Sequence, residues 1–122
     1  MLVLLISVTG CSERSKKEGY IKAIIQTGLS EREDVLANPD ITSYIVIRDG
    51  TNDGVCYEYT TNGIIDMDAK MLKKMLVEEF NKIANQPTKV AIKSGIYLRF
   101  VYKSARGEIL GDQILTSSDF GW

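Results

Sequence analysis

The stretch from Asp68 to Pro87 constrains the fold more than any other part of the chain. Leu72, Leu76, Phe80 and Ile83, flanked by Met75, recur at spacings of three and four, which puts them on one stripe of a helix over roughly Ala69 to Asn85. Asp68 is a good N-cap for that helix, and Pro87 lacks the amide needed to continue it. Lys74, Glu78 and Lys82 line another face at i,i+4 spacing. A helix that is apolar on one stripe and charged on another must lay the stripe against a second layer. The sequence on both sides of it is rich in β-formers, so that layer is a sheet.

The strands are read from alternation and turns. Tyr44 to Arg48 and Val55 to Thr61 flank Asp49-Gly50-Thr51-Asn52-Asp53-Gly54, a strand, turn-rich loop and strand that predict a hairpin. After the helix, Lys89 to Lys93 reads as a short strand that Ser94-Gly95 interrupts. Ile96 to Lys103 then alternates, with Ile96, Leu98, Phe100 and Tyr102 predicted inward and Tyr97, Arg99, Val101 and Lys103 mostly outward. Ala105-Arg106-Gly107 turns the chain, and Glu108 to Thr116 returns. Near the start, Tyr20, Ile21, Ile24 and Ile25 form a helical stripe that Gly28 would close, although the same residues also fit a strand. Ser30-Glu31-Arg32-Glu33 reads as a capping box for a short helix ended by Asn38-Pro39. The expectation is an α+β two-layer sandwich. It has an antiparallel sheet of four to five strands, one long helix and one or two short amino-terminal helices, all within a single domain over residues 20–122.

The amino terminus carries the most specific motif. Residues 1–10 are uncharged, and Leu2-Val3-Leu4-Leu5-Ile6 is too short to span a bilayer, which needs about 20 residues. It suits the apolar segment of an export signal. Val8-Thr9-Gly10-Cys11 resembles the lipobox of bacterial lipoproteins: an aliphatic residue three before the cysteine, small residues next, then the cysteine itself. The resemblance implies cleavage before Cys11, a lipid on its thiol and an acylated amine. It also implies, from Ser12 at the next position, the outer membrane where the cell has one. The basic start of such a signal would lie upstream of Met1. Residues 11–19 would then be the lipidated cysteine and a flexible tether, Ser12 to Gly19 being charged and small. The competing reading makes Leu2 to Val8 a buried first strand of a cytosolic domain with an unmodified Cys11.

Composition narrows the chemistry. There is no histidine, so the commonest general base and metal ligand are missing. No nucleophile elbow, phosphate-cradling glycine loop or zinc spacing occurs. Net charge is −1, yet residues 1–68 carry eleven acids and six bases while residues 69–122 carry five acids and nine bases. Lys89, Lys93, Arg99, Lys103 and Arg106, with Tyr97 among them, would make a basic stripe on the outer sheet face. A solvated face is the ordinary meaning of such charges, and export removes most nucleic acid from reach. Asp49, Thr51 and Asp53, with Gly54 sixth, partly resemble the start of a calcium loop. Thr60 at the twelfth position lacks the bidentate carboxylate, and a hairpin loop uses the same residues. Cys56 reads as a small buried hydrophobe. Phe120 and Trp122 read as cover for the core edge or as an exposed anchor.

These readings favour a non-enzymatic, lipid-anchored binding or accessory module of the cell envelope, requiring no cofactor or metal and taking another envelope protein as partner. Tyr97, Arg99 and Lys103 are its candidate contacts. The alternative from a different class is a carboxylate enzyme using Asp66, Asp68 or Glu58.

Overall fold

The structure, a computed structural model, describes the backbone of residues 2–63, 65 and 67–122 and, within these, side chains from Glu13 onward. The Cys11 side chain, on which the lipidation expectation falls, and Asp66 lie outside the described residues. The elements run α1 (Leu2–Ser30), α2 (Arg32–Leu36), β1 (Ile41–Arg48), β2 (Gly54–Thr61), α3 (Ala69–Ile83), α4 (Gln86–Lys93), β3 (Tyr97–Ser104), β4 (Ile109–Leu115) and α5 (Ser117–Phe120). The α+β class holds, with a four-stranded sheet in the order β1-β2-β3-β4 and helices on one face.

The sheet is mixed rather than wholly antiparallel. The β1–β2 and β3–β4 pairs are antiparallel, whereas β2 and β3 pair in parallel from Gly54↔Tyr97 to Thr61↔Ser104. Two consecutive helices carry the chain from the end of β2 back to the start of β3, and such a crossover delivers the next strand parallel. The second of those helices replaces the strand expected at Lys89 to Lys93. Asn85 accepts a hydrogen bond from the Thr88 amide at 3.0 Å, and Pro87 stands in the first turn of α4, where its missing N–H costs nothing. Pro87 therefore starts a helix instead of stopping one, and α3 ends earlier, at Ile83. Asp68 caps α3 as expected, accepting from the Met71 amide at 2.8 Å.

The amino-terminal segments also differ from expectation. Helix α1 runs past Gly28 to Ser30, and the backbone of Ser12 to Gly19, read from composition as tether, belongs to it. Ser30 does not cap α2; its hydroxyl donates to the Thr27 carbonyl at 2.6 Å, the backward bond open to a serine in a last helical turn. Gly28 lets α1 approach the sheet closely. A Cβ there would stand 3.0 Å from a Val46 methyl and 3.1 Å from the Tyr57 ring, and the Gly28 carbonyl accepts from the Tyr44 hydroxyl at 2.8 Å.

The core fills the space between the helices and the inner face of the sheet. Ile21 and Ile24 of α1, Leu72 and Leu76 of α3 and Ile92 of α4 close over Val55, Leu98 and Leu115, each at most 7% exposed. Phe120 is buried and stacks on Trp122 at 4.5 Å between ring centres, with the Lys89 ammonium over the indole, so the chain end covers the core edge.

Candidate functional site

Strand register sorts the candidate residues onto the two faces of the sheet. On the outer face, neighbours across the strands run Ile47, Cys56, Arg99, Ile114 in one row and Ile45, Glu58, Val101, Asp112 in the next. The expected contacts Tyr97, Arg99 and Lys103 all belong here, and each meets an acid. The Arg99 guanidinium donates to both oxygens of Asp112, at 2.9 and 2.6 Å, and to Asp49 at 3.2 Å. Lys103 pairs with Glu58 at 2.8 Å. The Tyr97 hydroxyl donates to Asp49, and its ring lies where a Cβ on Gly54 would go, so glycine is required there. Hydrogen bonding to Asp112 raises the Arg99 pKa above its already high value, and Arg99 in turn lowers that of Asp112. Lys89 and Lys93 sit on α4, not on the sheet. Of the expected stripe, Arg99 and Lys103 thus form ion pairs on the outer face, bordered by exposed isoleucines, and Arg106 stands in the exposed turn after β3.

The loop read as a partial calcium site is organised by cations. Asp53 binds Arg14 at 3.1 Å, Arg48 at 3.3 Å and Lys17 at 3.5 Å, while Asp49 turns to Arg99 and Tyr97. Burial pushes the Asp53 carboxyl up, but Arg14 and Lys17 outweigh it and the pKa falls. Among the described residues no three acidic, cysteine or histidine side chains converge to hold a metal. The carboxylates of the enzyme alternative have structural work: Glu58 pairs with Lys103, and Asp68 caps α3. Burial raises the Cys56 pKa, which disfavours a reactive thiolate.

The inner face holds a feature not anticipated from the sequence. Its rows run Arg48, Val55, Leu98, Leu115; then Val46, Tyr57, Phe100, Gln113; then Tyr44, Tyr59, Tyr102, Gly111. The last two rows are aromatic. Tyr57 stacks on Phe100 and Tyr59 on Tyr102, each pair with ring centres 4.8 Å apart, and Tyr44 tilts against Tyr59 at 5.2 Å. Burial pushes Tyr44 and Tyr102 up to about 12, and Tyr57 and Tyr59 higher still. Over these rings the helices part. The end of α1 and α2 form one wall, and the α3–α4 junction forms the other, leaving a cavity of about 110 Å³ floored by Tyr44, Tyr57, Tyr59 and Phe100. Thr27, Glu31 and Asn85 stand among its lining, and Ile83 is 64% exposed at its edge. Among the described residues no buried side-chain nitrogen or oxygen lacks a partner. The void is smaller than the roughly 300–1,000 Å³ of sites that engulf a small molecule, but it suits side chains presented by a protein.

The signal for the groove was in the sequence, because Tyr44, Tyr57, Tyr59, Phe100 and Tyr102 share one alternation phase. Locating it required knowing that α3 stops at Ile83, which leaves Ile83 outside the core stripe.

No family model matches this chain, and no curated protein matches it. Among solved structures, it is similar to the type II secretion system pilotin AspS from Vibrio cholerae, with a TM-score of 0.52, 15% identity, and coverage of 87% of this chain and 97% of that one. The type 2 secretion system pilotin EpsS from Vibrio vulnificus aligns over 87% of this chain and 96% of its own, at 19% identity and a TM-score of 0.46. At such identity the likeness to AspS is one of fold: this chain has a pilotin-like fold.

Proposed function

We propose that the chain is a lipid-anchored accessory protein of the pilotin kind, held to the outer membrane through Cys11. On this reading it escorts an outer-membrane component of a secretion system, a secretin subunit, by docking an amphipathic helical segment of it. The aromatic-floored groove carries the reading. It is floored by aromatic rings, has Thr27, Glu31 and Asn85 in its lining, and is of a size for about one inserted side chain, which is how a groove receives an apolar anchor of an amphipathic helix. Glu31 at the opening would favour a segment with a basic residue beside its apolar anchors. The pilotin-like fold and the lipobox support the same compartment and the same class of task.

A photo-crosslinking residue at Ile83, at the groove, is to be compared with one at Ile47, on the outer sheet face, in intact envelopes. Both positions are half or more exposed, so the label does not disturb the core. Adducts to a secretin subunit are expected from position 83 and not from 47. Adducts from 47 alone would move the docking site to the outer face, where Tyr97, Arg99 and Lys103 stand. Adducts from neither would remove the docking reading.

A further inference from the structure

We propose that α1 is a rigid stand-off which fixes the domain's orientation, seating the β1–β2 loop at the lipid headgroups and holding the groove away from the membrane. The inference rests on the reading of Cys11 as lipidated. Arg14 lies three residues beyond Cys11 within the same helix, so the two are only about 4.5 Å apart along its axis. Helix α1 is packed on the domain by the buried Ile21 and Ile24, and Arg14 adds ion pairs at the surface. Arg14 bonds Asp53 of the β1–β2 loop at 3.1 Å and Glu18 at 2.9 Å, and Glu18 in turn accepts from Arg48 at the end of β1 at 2.8 Å. Lys17 adds a further contact to Asp53. Glu18 titrates below its ordinary value because Arg48 and Arg14 favour its charged form. An anchor at Cys11 therefore acts on the loop of residues 49–53 almost directly.

The opposite end of α1 serves the groove. Ile24, Thr27 and Gly28 line it, and Gly28 stands about 21 Å along the helix axis from Arg14. The sheet shows the same polarity: the aromatic rows lie toward Tyr44, away from the loop that follows Arg48. Helix α1 is unsuited to lying flat in the interface, which takes a continuous apolar face. Its exposed side carries Ser15, Lys16, Gly19, Lys22 and Gln26. Lys16, exposed at the same end of α1 but on a different side of the helix from Arg14, is placed to meet headgroup phosphates.

The test uses the mature acylated protein purified from envelopes and reconstituted into vesicles containing phosphatidylglycerol and a headgroup-linked quencher. Thr51→Cys and Gln26→Cys, both at exposed positions, accept a thiol fluorophore, whereas native Cys56 is buried. Strong loss of fluorescence is expected at position 51, and none at position 26. Equal quenching at the two positions, in protein whose acyl mass on Cys11 is confirmed, would overturn the fixed orientation while leaving the anchor intact. An unmodified Cys11 thiol would overturn the anchor and the orientation together.

Discussion

On one face of the sheet Val55, Tyr57, Leu98 and Phe100 disappear under helices; their immediate neighbours Cys56, Glu58, Arg99 and Val101 belong to the other face. There Cys56 and Val101, the latter expected to be solvated, are buried among the paired charges and isoleucines. Both sets come from the same two strands, offset by one residue. The inner set is held by apolar area and aromatic stacking, and it leaves a groove where the helices part. The outer set is held by ion pairs, and its carboxylates and guanidinium satisfy one another. The lesson is that charge concentrated on a face does not mark it as a docking surface where its cations, here Arg99 and Lys103, already have their acids.

Three measurements can break or sharpen that contrast. Leu98→Ala removes a side chain that is 0% exposed and should cost about 3 kcal/mol in a urea melt, by lost burial plus a cavity. A cost below about 1 kcal/mol would mean that the inner face repacks freely and is not the structural one.

The pH dependence comes next and should divide by face. Tyr44 and Tyr102, raised from 10.0 to about 12 by burial, hold their protons better folded than unfolded. Their contribution to stability is complete below pH 10 and is lost as pH climbs toward 12. Asp112, lowered from 3.8 by Arg99, behaves oppositely: its contribution is present above that value and is lost as pH falls through the lower folded pKa. Asp53 and Glu18, also lowered, act in the same acid window. Thermal melts across pH should therefore show an alkaline loss that persists in Asp112→Asn and an acid loss that shrinks in it. An unchanged acid limb would show that the Arg99 cluster is energetically idle.

The smallest effect belongs to Arg99→Ala. Its pairs are about one-third exposed, so the expected loss is about 1 kcal/mol or less, and it should diminish further in high salt. A loss comparable to that of Leu98→Ala would show the two faces to be equally structural.

The sequence made much of this legible. The Leu72–Leu76 stripe with its Asp68 cap, the hairpin across Asp49 to Gly54 and the inward phase of Leu98, Phe100 and Tyr102 all follow from periodicity and turn chemistry. The parallel β2–β3 pair did not, because Lys89 to Lys93 is a short apolar run between lysines that fits a strand, and only the Asn85 cap with Pro87 behind it marks a helix start. The continuity of α1 through Glu13 to Gly19 was hidden for another reason. Those residues are polar and small, and what fixes them is the distant Asp53 and Arg48, which local composition does not reveal. The groove was half legible: its tyrosines share one phase, but a gap between helices is a property of where helices stop.

The parallel pairing also carries a kinetic consequence. Gly54 and Tyr97 are about forty residues apart, so the central seam of the sheet closes only after a long loop has been brought together. The two flanking antiparallel pairs close over far shorter distances. The floor of the groove straddles the seam, with Tyr57 and Tyr59 on one side and Phe100 on the other. A chain with both hairpins formed but the seam open would have no groove at all, so the groove depends on the contacts of longest sequence separation rather than on either half alone.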